Sequence, residues 1–138
     1  MQPEEVRAFK NELRNYSFLL HEIVTLENSI ENIYDRLGGV RGIDPSREPT
    51  HSLPNKDLEY KLRGDIDKLE TKLKLRTNQK EYIDTVMSKI ESPVREAVFD
   101  IYVLGKRFDN VADKYAYSHN GLYKRINKAI EGALHGKI

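Results

Sequence analysis

Apolar residues recur at steps of three and four from the start of the chain: Val6, Phe9, Leu13, Tyr16, Leu20, Ile23, Ile30, Tyr34 and Leu37, with Glu27 the one polar interruption. A heptad seam of that length predicts one helix over residues 4–37. Gly38-Gly39 is expected to stop it. The stretch that follows, GGVRGIDPSREPTHSLPN, holds three glycines and three prolines without periodicity and reads as a loop over 38–55. A second helix starts near Lys56, with Leu58, Leu62, Ile66, Leu69 and Leu73 on one face. Glu70 and Lys74 stand at the i,i+4 spacing that supports a helix. The repeat lapses at Arg76 and Lys80. Thr77-Asn78 is there either a break with a new N-cap or a solvated part of one continuous helix. Ile83, Val86, Met87 and Ile90 resume the pattern. Ser92-Pro93 predicts a further helix start, with Ser92 as cap. Val94, Ala97, Val98, Ile101 and Tyr102 make its inward stripe, and Gly105 ends it.

The run FDNVADKYAYSHNGLYKRINKA, residues 108–129, reads as a helix, a tight turn and a second helix that carries cations and no acid. Val111, Ala112, Tyr115 and Tyr117 stand where a helix-turn-helix unit buries its apolar side, and Ala112 is small enough for a crossing helix. Ser118 is a preferred N-cap residue. Leu122, Ile126, Ala129, Ile130 and Ala133 form the next inward stripe. That leaves His119, Asn120, Tyr123, Lys124, Asn127 and Lys128 outside, a polar, cationic face that suits a DNA groove. Ser118, His119, Asn120, Tyr123 and Lys124 are expected to approach bases. Lys106, Arg107, Arg125 and Lys128 are expected to contact phosphates, which position a protein without reading sequence. The bland alternative is a small helical bundle whose exposed polar side chains serve only solubility.

The longer run IESPVREAVFDIYVLGKRFDNVADKYAYSHNGLYKRINKAIEGAL resembles region 4 of sigma-70-type factors. Pro93, Arg95, Phe99, Tyr102 and Gly105 match its first helix. Val111-Ala112, the Tyr117-Ser118 turn, Leu122, Arg125-Ile126 and Lys128-Ala129 follow at the family spacing. Two residues depart from it. Ala116 replaces the usual turn glycine, and Gly121 sits in the first turn of the second helix, where it either allows close approach to a phosphate or is simply tolerated. Small proteins with this C-terminal motif and an unrelated helical N-terminal half are similar to phage transcriptional regulators of the RinA and ArpU type. The resemblance implies a double-stranded DNA partner, and possible contact with host RNA polymerase, in transcriptional regulation.

The expected fold is therefore all-α: a long N-terminal helical hairpin or coiled coil followed by a C-terminal helix-turn-helix bundle. Residues 1–76 would serve assembly and 77–138 would bind DNA. The N-terminal seam fits an intramolecular hairpin and a homodimer or higher oligomer equally, since hairpins can pair into four-helix bundles. Charge is graded along the chain: residues 1–37 hold 4 basic and 7 acidic side chains, 38–91 hold 11 and 10, and 92–138 hold 8 and 5. The positive end coincides with the expected DNA reader. The chain has no cysteine, which removes disulfides and thiolate metal sites and fits a reducing cytoplasm. No apolar run reaches membrane-spanning length, and no signal-like segment opens the chain. His21, His51, His119 and His135 are scattered, no metal-ligand spacing occurs, and no phosphate-binding glycine motif follows a strand. A non-enzyme without cofactor or metal is expected. The rival readings are a polymerase- or sigma-binding protein that does not read DNA, and a phage DNA-packaging protein.

Overall fold

A computed structural model describes residues 2–41 and 56–136, and among them there are helices and turns but no strand. The protein is all-α. Its helices are α1 (Glu4–Arg14), α2 (Tyr16–Arg41), α3 (Lys56–Ser88), α4 (Val94–Val98), α5 (Phe108–Lys114) and α6 (His119–Leu134), with a π-helical turn at Phe99–Val103 continuing α4. No helix among the described residues is long and apolar enough to cross a membrane.

The single helix predicted over 4–37 is jointed at Asn15. Its amide N–H is shared between the carbonyls of Asn11 and Glu12, each at 3.2 Å, and its side-chain Nδ2 also donates to the Asn11 carbonyl at 3.0 Å. An asparagine that competes for backbone acceptors loosens the regular ladder at its own position. Beyond the joint the buried positions are Leu19, Leu26, Ile30 and Leu37. The seam thus runs one residue earlier than read at two places: Leu19 and Leu26 are buried where Leu20 and Glu27 were assigned to it. Tyr34 is half out of the protein.

The stop expected at Gly38-Gly39 does not occur, because α2 continues to Arg41. A glycine costs a helix only about 1 kcal/mol relative to alanine, and Leu37 anchors the adjoining turn against Leu62 and Ile66. Of the loop predicted over 38–55, residues 42–55 lie outside the described residues. The lapse at Arg76 and Lys80 is a solvated stretch: α3 runs unbroken through Thr77-Asn78.

The chain forms two compact units, residues 21–78 and residues 1–20 with 79–138. In the first, α2 and α3 pair in opposite directions. Leu37 and Ile33 meet Leu62 and Ile66, the Tyr34 hydroxyl donates to Glu70 at 3.0 Å, and Glu22 meets Arg76 at 3.0 Å and Lys72 at 3.8 Å. Leu69 and Leu73 are half-buried on the same helix, while Leu58 is exposed. In the second unit, Val6, Phe9 and Leu13 of α1 are buried with Ile83, Val86, Ile90, Val98, Val111, Leu122, Ile126 and Ile130. The N-terminal helix, read as part of an assembly region, belongs instead to the core of the C-terminal unit. It packs on the π-helical turn and on α6.

The helix after Pro93 differs from its predicted stripe. The Leu104 amide donates to the Phe99 carbonyl at 3.0 Å, an i→i+5 bond that inserts one residue into the turn. Tyr102 is buried and Ile101 only half-buried, while Asp100 is buried among its contacts with Lys106, Lys114 and Tyr115. Ser92 makes no cap bond; its hydroxyl donates to Glu96 at 2.7 Å. Gly105, at φ +72°, turns the chain out of the helix.

Candidate nucleic-acid interface

α5 and α6 meet through a turn whose closure is local. The Tyr117 amide donates to the Ala112 carbonyl at 2.9 Å, and the Ala116 amide to Asp113 at 3.1 Å. Ala116 takes φ +62°, the left-handed conformation that glycine holds most cheaply. Ala116 therefore holds a glycine-type conformation although it carries a Cβ. Ala112 and Val111 are buried as predicted, and Tyr115 and Tyr117 are half-buried. Asp100 fastens both ends of α5. Its carboxylate accepts from Lys114 at 3.3 Å and from the Tyr115 hydroxyl at 3.4 Å, and Lys106 pairs with it at 3.6 Å.

Ser118 caps α6, its hydroxyl accepting from the Gly121 amide at 3.0 Å. A Cβ at position 121 would lie 2.7 Å from that hydroxyl oxygen. This contact explains the glycine in the first helical turn without any phosphate. The cap is worth about 1 kcal/mol, and so is the helix propensity alanine gains over glycine. Gly121→Ala should thus leave stability within about 0.5 kcal/mol of the parent, but raise it by about 1 kcal/mol in a Ser118→Ala background. Urea denaturation of the four proteins gives the coupling. A coupling near zero would show that the hydroxyl does not dictate the glycine.

α6 presents four sides. Leu122, Ile126, Ile130 and Ala133 point into the core. A second side is closed by α1. Lys10, itself 2% exposed, donates to Asn127 Oδ1 at 2.5 Å and to Gln2 Oε1 at 2.6 Å, and its ammonium lies 4.8 Å from the Tyr123 ring and 5.3 Å from the Tyr102 ring. Burial, and secondarily the cation of Arg14, bring Lys10 down to about 8. Burial likewise pushes the Tyr102 hydroxyl up to about 12. Below the start of this side, His119 Nδ1 lies 2.8 Å from Asp109 Oδ1 and its ring 4.4 Å from that of Phe108. The third side faces outward and holds Asn120, Lys124 and Lys128 at successive i,i+4 steps, all exposed. On the fourth, Arg125 lies with its guanidinium 5.0 Å from the Tyr117 ring.

The structure therefore sorts the ten predicted contact residues. Asn120, Lys124, Arg125 and Lys128 share one accessible surface. Arg107 is exposed at the start of α5. Tyr123 and Asn127 are turned toward α1 and hold Lys10, Ser118 is committed to the cap, His119 to Asp109, and Lys106 to Asp100. Sequence periodicity places Tyr123 and Asn127 on the outer half of α6, and only the arrival of a distant helix withdraws them. At the C-terminal end, His135 Nε2 is 2.6 Å from Glu5 Oε1, and these two groups with Glu131 bring their ligand-type atoms within 4.8 Å of one another. All three side chains are exposed, and Glu5 stands 130 residues from His135, so no sequence spacing could have revealed the group. No protein-family profile, curated protein or solved structure matches the chain.

Proposed function

We propose that the protein is a sequence-specific double-stranded DNA-binding transcriptional regulator that sets α6 into a major groove. One observation carries the reading: beyond a capped turn, α6 offers Asn120, Lys124 and Lys128 in a row, exposed and outside every ion pair among the described residues. Asparagine can pair bidentately with adenine and lysine can donate to guanine, whereas neighbouring lysines neutralise phosphates. The resemblance to sigma region 4 makes a phage activator working beside host RNA polymerase the specific form of this proposal. In it, the antiparallel unit of residues 21–78 serves assembly into a homodimer or larger oligomer. That unit leaves Val24, Leu75 and Tyr60 exposed for such contact.

A second reading, a polymerase-binding protein that does not read DNA, is favoured by a groove of about 570 Å³ lined by Leu13, Ile83, Met87, Phe99 and Val103. Binding of the full-length protein to fragments tiling its genomic neighbourhood, against competitor DNA at two salt concentrations, separates the two. The first reading expects one preferred fragment whose affinity falls steeply with salt, because phosphate neutralisation releases counterions. Equal, weak binding to every fragment would remove it.

A further inference from the structure

We propose that the groove on the fourth side of α6 carries one sugar–phosphate strand of the bound duplex, and that Lys89 is a phosphate contact supplied from outside the helix-turn-helix. This rests on the DNA-binding reading above and gives it an orientation. The groove, about 630 Å³, lies between α6 and the segment joining α3 to α4. α1 already fills the opposite flank through Lys10. Lys128 belongs both to the outward row and to the lining of this groove, so a duplex meeting Asn120, Lys124 and Lys128 lies beside the groove.

The groove's chemistry suits a polyanionic strand with apolar sugars. Lys89, Arg125 and Lys128 come from separate parts of the fold and line it together. All three are exposed, and none takes part in an ion pair among the described residues. A cation outside any ion pair breaks no salt bridge when it binds a phosphate. Arg125 is oriented by the Tyr117 ring, so less rotamer freedom remains to be lost. Between the cations the lining is apolar, from Ile90, Val94 and Ala129, a surface on which deoxyribose can rest. Glu91 and Glu131 also line the groove and oppose the strand. They confine it to the cationic positions, and they supply a test of opposite sign.

Lys89→Ala in the full-length protein should weaken binding about three- to tenfold, to the preferred fragment and to unrelated DNA alike. The slope of log affinity against log salt should become shallower by about one. Glu91→Gln should shift affinity the other way. Lys74→Ala, on the exposed face of α3 in the other unit, serves as the charge control and should leave the slope unchanged. All of these positions are exposed, so circular dichroism should show parent-like helicity. Parent affinity and slope in Lys89→Ala, with binding still lost on Lys124→Ala, would overturn the strand placement and leave the DNA reading standing. A slope change of the same size in Lys74→Ala would also overturn it, since the effect would then be one of net charge. Failure of the parent to prefer any fragment would remove the DNA reading, and this inference with it.

Discussion

Phe9→Ala should cost the C-terminal unit about 3–5 kcal/mol, although residue 9 lies far from the helix-turn-helix in the sequence. The side chain is 2% exposed, and its ring meets Tyr82 edge to face, with centroids 6.4 Å apart. Truncation removes the transfer free energy of the ring and leaves a cavity that packed helices close only in part. Domains of this size are held by roughly 5–15 kcal/mol, so the variant would keep only a fraction of its stability. The same logic covers a fragment restricted to residues 77–138. Without α1 it exposes the surface that Val6, Phe9 and Leu13 cover, and it removes Lys10 from Tyr123 and Asn127. That fragment should lack a cooperative unfolding transition. Hydrogen exchange on full-length Phe9→Ala is the direct measurement, with amides of α6 expected to lose protection together with those of α1. Unchanged protection in α6 would show that α1 is an appendage.

On the proposed DNA-binding function, replacing Asn120, Lys124 and Lys128 together with alanine should lower affinity for the preferred DNA fragment at least about a hundredfold while stability is kept. A good base contact is worth about 1–3 kcal/mol, and each lost phosphate contact adds to that. Stability should hold because the three side chains are exposed and alanine is the best helix former. Tyr123→Ala with Asn127→Ala should behave in the opposite way. Those residues hold the buried Lys10, and its ammonium would lose an acceptor and a ring face. A buried charge left with only Gln2 and the Tyr102 ring is destabilising. Thermal melts and fluorescence anisotropy on both variants separate reading residues from supporting ones. Parent-level affinity in the triple variant would remove α6 as the reader.

Much of this architecture is legible in short-range patterns. The i,i+3 and i,i+4 spacing of apolar residues marks α3 and α6. Serine before the first turn of α6 marks its start, because a hydroxyl in that position meets a free amide only a few residues on. Two features of the same kind depart from the local pattern because a weak local signal is outweighed. Gly38-Gly39 did not end α2, since neighbouring packing exceeds the small penalty of helical glycine. Asn15 gives no sign of a joint in the sequence, since asparagine fits a helix or interrupts it depending on which acceptors its side chain finds. The π-helical turn leaves no signal in the sequence, because an i→i+5 bond in place of an i→i+4 bond changes the phase of the helix without altering composition.

By itself, the sequence determined the all-α class, where α3 begins and α6 is capped, the inward stripe of α6 apart from Ala129, which is half-buried and lines the groove, and the cations on the outer half of α6. Each depends on residues within a turn or two of one another, whose relative placement the helix period dictates. Tertiary structure alone decided that α1 joins the C-terminal unit, that Lys10 reaches Asn127 across 117 residues, and that the predicted contact residues divide into a closed and an open side. Helical periodicity says which face of a helix is apolar but not which distant apolar face will cover it. That choice is made by shape and volume when the core closes.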